Sequence, residues 1–232
     1  MQWMSKTSVT ALILASACGG SQPPDESAAQ AALMVGTWRQ VDATTGERKT
    51  EVTFSASDGL SVTLYRNGVV DKSFGGTYAV EQGALTVRIS DDQGRRMELS
   101  SYLAVADDAF AVGFDDNDVV FVPESVTDGV RGTWRAHSVS RVMSGTTVAA
   151  SSEHSIDLLL RENGTWSRSQ TRTSIQNGIT SSPRRDTDEG VEWRELSVGR
   201  YAMKKTSTST PVVYRHVGTA LATERSLFSR VK

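Results

Sequence analysis

The sequence predicts an all-β fold: two tandem antiparallel up-and-down β-barrel modules that follow a leader and a flexible tether. Three observations carry this. Gly36-Thr37-Trp38-Arg39 returns as Gly132-Thr133-Trp134-Arg135, 96 residues later, and at the same offset Asn67-Gly68 returns as Asn163-Gly164 and Leu64 as Leu160. Self-similarity at a fixed period marks a repeated structural unit. Apolar residues alternate with polar ones over short runs, the period of a half-buried strand. Turn-forming pairs separate those runs at short intervals. The composition, 38% hydrophobic and 22% charged, is that of ordinary globular material.

The chain opens on one positive charge and no acid in residues 1–6, and residues 9–17 are apolar or small throughout. That run is far shorter than the ~20 residues of a spanning helix and has the layout of a secretory signal. Ala15-Ser16-Ala17 stands directly before Cys18, the single cysteine. The pattern resembles a bacterial lipoprotein signal with its lipobox, with Ala15 where leucine is usual and Leu14 one place earlier. The resemblance implies a signal peptide over 1–17, cleavage before Cys18, diacylation of the Cys18 thiol and hence a membrane as partner. Gly19 after the cysteine implies the outer membrane of a bacterial envelope. An ordinary signal peptide with an incidental cysteine is the alternative. Residues 18–34, beginning Cys18-Gly19-Gly20-Ser21-Gln22-Pro23-Pro24, read as a tether with little to bury, its last residues able to form a short helical turn.

The first module spans 35–124, with strands expected at 37–42, 49–56, 60–66, 69–78, 85–90, 95–105, 109–114 and 118–122. Asp58-Gly59 and Asn67-Gly68 permit the positive φ of tight hairpins. Val52, Phe54, Leu60, Val62, Leu64, Leu85, Val87 and Ile89 should face one core, with Thr53, Ser61, Thr63, Thr86 and Arg88 in water. Eight consecutive strands would close into a barrel and leave no edge bare. The second module spans 130–232, with strands expected at 133–142, 146–152, 155–161 and 165–173. Leu85-Thr86-Val87 aligns with Leu196-Ser197-Val198 at an offset of 111, so the second copy carries about 15 extra residues over 174–190. That insertion reads as a long polar loop, functional or mobile. Strands resume at 191–198, 201–207 and 212–217, with a last segment ending near Val231.

Charge divides between the copies. From Cys18 to Gly129 there are 8 Lys+Arg against 18 Asp+Glu, and from Val130 to Lys232 there are 16 against 9. Docking of one copy on the other is the simplest use of this asymmetry; aiming the second copy at an anionic partner is the other.

Gly36 and Trp38, and again Gly132 and Trp134, sit as Gly-x-Trp on the first strand of a meander. This resembles the lipocalin-like (calycin) proteins. The resemblance implies that the glycines turn the chain into the barrel and that Trp38 and Trp134 are structural plugs at the barrel base, often under an arginine from a late strand. Arg215 and Arg230 are the candidates for that arginine in the second copy.

No catalytic set is evident. His137, His154 and His216 have no metal-ligand spacing, a lone cysteine makes no disulfide or thiolate metal site, and no Gly-x-Ser-x-Gly elbow occurs. Asp115-Asp116-Asn117-Asp118 lacks the glycine and distal glutamate of a calcium loop and reads as a solvated turn. Glu192 and Glu195 would point to opposite faces of a strand. Arg184-Arg185 and Lys204-Lys205 read as solvated basic pairs, with a phosphate or anionic-lipid contact as the sharper reading. Trp166 and Trp193 are the first choices to line a ligand pocket, against the plainer reading as core. The expectation is a non-catalytic, lipid-anchored envelope protein without cofactor or nucleic-acid partner, binding a small hydrophobic ligand or an envelope component. The rival is a protein-interaction module, an inhibitor, immunity or assembly factor, that uses the barrel rims and the 174–190 loop.

Overall fold

A computed structural model describes residues 26–42, 44–90, 94–113, 119–127, 129–176 and 178–231. Cys18 and the leader, the start of the tether, and Asp115-Asp116-Asn117-Asp118 lie outside the described residues. The described chain is all-β apart from one α-helix, α1 (Glu26–Met34), and a 3-10 turn at Glu224–Ser226. The strands are β1 (Gly36–Val41), β2 (Arg48–Phe54), β3 (Gly59–Arg66), β4 (Val69–Glu81), β5 (Ala84–Ser90), β6 (Arg96–Val105), β7 (Ala109–Val112), β8 (Val120–Thr127) and β9 (Arg131–Ser144). They continue as β10 (Thr147–Leu160), β11 (Trp166–Gln176), β12 (Ile179–Thr180), β13 (Arg184–Gly190), β14 (Glu192–Ser197), β15 (Arg200–Lys204), β16 (Val212–Val217), β17 (Ala220–Thr223) and β18 (Leu227–Arg230).

Period-two alternation and turn chemistry place the first seven strands within a few residues of expectation. Asn67 and Gly68 take φ of 53° and 74° between β3 and β4, and Asp58 takes 61° between β2 and β3. These left-handed positions are where Asn, Asp and Gly cost least. β1 to β7 pair in sequence order, each antiparallel to the next. The eighth expected strand does not close this meander. β8 leaves to pair with β9 and β17, and the ring is closed by β18, which pairs with β7 through Phe228↔Phe110 and with β1 through Trp38↔Arg230. The result is a closed eight-stranded antiparallel barrel whose last strand comes from the far end of the chain.

The remaining strands pair β8–β9–β10–β11–β13 and β14–β15–β16–β17–β8. Only Val191 separates β13 from β14. This second series lies in sequence between β7 and β18, nested inside the first ring instead of following it, so the segment expected to end the second module belongs to the first.

Three further expectations change. The two strands expected at 146–152 and 155–161 are one strand, β10, because β9 and β10 form a hairpin of 14 residues a side. That length explains the false offset: Asn67-Gly68 follows the third strand of its series, whereas Asn163-Gly164 joins β10 to β11, the second and third. The residue that stands where Phe54 pairs with Gly36 is Leu160, paired with Gly132. Leu196-Ser197-Val198 is no counterpart of Leu85-Thr86-Val87, for Leu196 and Val198 are exposed whereas Leu85 and Val87 are buried. The expected loop 174–190 is largely sheet. β13 pairs with β11 from Trp166↔Gly190 to Arg172↔Arg184, and a Cβ on Gly190 would fall within 1.8 Å of the Trp166 indole. Alternating polar residues hid this strand, because they face water on one side and a polar interior on the other.

Two apolar cores result, one inside each series, and a third cluster of small residues, Ala104, Ala111, Val120, Val217, Ala220 and Ala222, lets the two meet closely. β6 and β9 also pair across the junction. Glu98 on β6 accepts from Arg88 at 2.9 Å and from Arg141 of β9 at 2.5 Å. Burial, the largest single influence, raises the Glu98 pKa, but the two guanidiniums together outweigh it and hold the carboxyl below its ordinary value of 4.5. A lowered folded pKa stabilises above the unfolded value, and the contribution is lost as pH falls through the folded one. Glu98→Gln should therefore cost about 1–2 kcal/mol near neutrality. Melting curves should show the gap from wild type closing well below pH 4.5; a gap independent of pH would remove the ion pair as its cause.

Candidate ligand site

The inward residues of the first ring enclose a cavity of about 380 Å³. Its inner end is formed by Phe54, Phe110 and Phe228, and behind them Trp38, fully buried, donates its indole N–H to the Met34 carbonyl at 2.7 Å, which ties α1 to this end of the ring. Phe110 meets Trp38 edge-on at 5.0 Å and stacks on Phe228 of the returning strand at 4.5 Å. The guanidinium of Arg230 lies 4.7 Å over the Trp38 ring, and its Nη2 donates to the Leu33 carbonyl at 2.6 Å and the Val35 carbonyl at 3.2 Å. A late arginine over the plug is thus present in the first copy. In the second copy neither Arg215 nor Arg230 takes that place.

Trp134 is buried in the same manner, donating to the Val130 carbonyl at 2.7 Å, the same four-residue step as Trp38 to Met34. Gly36 and Gly132 have φ of 131° and 121°, and a Cβ on Gly132 would strike the Ser125 carbonyl at 2.0 Å. Beside Trp134 lies His216, at 5.8 Å. Burial pushes the His216 pKa down, against a smaller opposing pull from Glu195, and its Nε2 is buried without a partner. The second plug therefore packs on an imidazole held toward its neutral form, where the first packs on a cation.

Above Trp38 the cavity wall is Val52, Phe54, Leu60, Leu85, Val87, Ile89 and Phe110, all buried. Farther up, Val62, Leu64, Phe74, Met97, Leu99 and Val112 are half-buried. This gradient puts the solvent-facing end opposite the plug. Gln40 and Thr50, cross-strand partners, are the polar members of the lining, and the Gln40 amide donates to the Arg225 carbonyl. Alternation then brings Lys72 on β4 to the rim, exposed beside Leu64 in register, whereas a bulge beside Gln40 and Val41 pairs Arg48 with Val41 and turns it to the outer face, over Tyr65 at 4.9 Å and 3.8 Å from Glu51. Val41, Val69 and Val70 are exposed at this same end, by 48%, 69% and 55%.

The two tryptophans expected to line a pocket do not line this one. Trp166 donates to the Lys204 carbonyl at 3.0 Å and Trp193 to the Arg161 carbonyl at 2.8 Å. Both join the second core, with Trp134, Tyr201, Tyr214 and Phe121. Large aromatics fill an interior; the signal for space was the run of medium aliphatics on alternate positions of β2, β3 and β5. Among the described residues no His/Cys/Asp/Glu group gathers that could hold a metal ion, and no helix is long and apolar enough to cross a membrane. Of the paired glutamates, Glu192 lies 3.3 Å from Arg194, while Glu195 accepts from the Gly199 N–H.

No family model, curated protein or solved structure matches the chain.

Proposed function

We propose that the protein is a non-catalytic binding protein of the bacterial cell envelope that carries a small apolar ligand in its first barrel. The observation that supports this most is the apolar cavity of about 380 Å³ above Trp38. It falls within the ~300–1,000 Å³ of ligand pockets, and it is more than twice the ~150 Å³ void that accommodates benzene. Lys72 at the rim favours a ligand whose polar end is acidic. In this reading the second series of strands is a second barrel of lipocalin-like kind, and lipidation of Cys18 holds the pair at the outer membrane. The exposed valines Val41, Val69 and Val70 support the rival reading, a protein partner docked on the same rim.

The two readings separate by experiment. Decanoate should displace an environment-sensitive anionic dye from the protein, and Val87→Phe, which fills the cavity, should weaken both at least tenfold while leaving melting unchanged or raised. Equal binding to the variant would end the carrier reading. Val69→Ser should leave decanoate binding intact and weaken only a protein partner. Cys18→Ser should shift the protein from the membrane to the soluble fraction, and retention there would reject the lipid anchor.

A further inference from the structure

We propose that the interior of the second series of strands holds a small carboxylic acid with an apolar body, its carboxylate set on Arg168 and the Tyr214 hydroxyl. This site is separate from the first-ring cavity, which neither Arg168 nor Tyr214 lines. The space is a cavity of about 350 Å³, with Arg168, Tyr214, Thr223, Val119, Pro211 and Val212 in its lining. Arg168 on β11 pairs with Leu158 of β10 on one side and with Asp188 of β13 on the other. Register partners share a face, and Leu158 is buried in the second core, so Arg168 points inward. Tyr214 of β16 belongs to the same core and pairs with the buried Thr223. Burial raises the Tyr214 pKa and the Arg168 charge opposes it, which places the guanidinium near the phenol.

An inward guanidinium is costly unless its charge and its donors are met. Arg168 meets few of them. An arginine carries five N–H donors. One of them, on Nη2, reaches the Gln170 amide oxygen at 2.9 Å, a neutral acceptor. The Nε–H is buried with no acceptor. The carboxylate in register, Asp188, is taken by Lys205 at 2.6 Å. The carboxylate in the cavity lining, Glu224, is held by Arg200 at both oxygens, at 2.5 Å and 3.0 Å. Among the described residues no carboxylate makes an ion pair with Arg168. Among them too the Tyr214 hydroxyl has no hydrogen-bond partner, although Tyr214 is buried. A ligand carboxylate supplies what both lack, accepting N–H from the guanidinium and O–H from the phenol. Val119, Pro211 and Val212 give its body an apolar surface. The volume lies near the lower end of the ~300–1,000 Å³ of ligand pockets, which suits a small acid. Arg225, exposed in the same lining and without an ion pair among the described residues, puts positive charge where the cavity meets solvent.

The test is isothermal titration of the mature full-length chain with 4-phenylbutyrate, against 4-phenylbutanol and inorganic phosphate in separate arms. It is run in the Val87→Phe background, which fills the first-ring cavity and leaves the second series to be read alone. One saturable site is expected for the acid, with the alcohol and phosphate each at least tenfold weaker. Arg168→Met removes an unpaired inward charge while keeping most of the bulk, and should weaken the acid tenfold or more. Tyr214→Phe removes one hydroxyl and leaves the core filled, and should weaken the acid severalfold. Decanoate binding to a chain with Val87 intact should be the same with either substitution, which separates failure here from failure of the carrier reading. No saturable binding of the acid, equal binding of the alcohol or of phosphate, or acid binding unchanged in both Arg168→Met and Tyr214→Phe would overturn the proposal.

Discussion

A chain that ends at Ser226 is expected to lose the closed barrel while keeping the core of the second strand series. The removed residues include β18, which supplies the ladders to both β1 and β7. Without it those two strands become open edges, the cavity wall loses Phe228, and Phe110 loses its stacked partner at 4.5 Å. Truncating one buried Phe costs roughly 3–5 kcal/mol, and a whole domain holds only about 5–15. Two ladders and the Arg230 bonds to Leu33 and Val35 are lost in addition. The second series pairs β17 with β8 and contains none of the deleted residues. Hydrogen exchange should show amides of β1–β7 unprotected while those of β9–β11 remain slow. Protection retained in β1–β7 would mean that the first seven strands hold together without their eighth.

Trp38→Ala and Trp134→Ala are each expected to cost roughly 3–5 kcal/mol, as buried aromatic truncations do. Each also orphans a buried carbonyl, Met34 or Val130, that now accepts an indole N–H. The two should differ in their couplings. Trp38 carries the Arg230 guanidinium at 4.7 Å and edge contact with Phe110, whereas Trp134 neighbours His216. Trp38→Ala combined with Arg230→Ala should be less than additive, by about 0.5–2 kcal/mol for the cation–π contact. Trp134→Ala combined with Arg230→Ala should be additive. Chemical denaturation of wild type and the five variants decides it, and additivity in both cycles would show that Arg230 acts only through its backbone bonds.

How much of this was legible follows from how local each feature is. The inward set Val52, Phe54, Leu60, Val62, Leu64, Leu85, Val87 and Ile89 was readable because side chains alternate at a period of two within a single strand. Those residues line the cavity or its wall. The hairpins at Asp58 and Asn67 were readable because positive φ restricts residue choice. The cavity itself was misplaced: tryptophan marked Trp166 and Trp193 as ligand contacts, yet bulk fills space, and only the summed volumes of facing side chains decide where space remains. Strand β13 was visible only as an isolated Arg184-Arg185 pair and a polar stretch taken for a loop; its ladder with β11, from Trp166↔Gly190 to Arg172↔Arg184, joins residues that no local pattern links.

The sequence by itself determined the all-β class and the strands and turns of the first meander, since each is set by residues within one turn or one strand, whereas burial of Trp38 and Trp134 was expected from the resemblance that their Gly-x-Trp carries. Tertiary structure alone decided which strand closes the barrel, which arginine covers which tryptophan, and where an apolar cavity remains. Backbone hydrogen bonds between strands are chemically alike, so no residue in β18 names β1 and β7 as its partners. That choice is made by the packing of Phe228 on Phe110 and of Arg230 on Trp38, between residues nearly the whole chain apart.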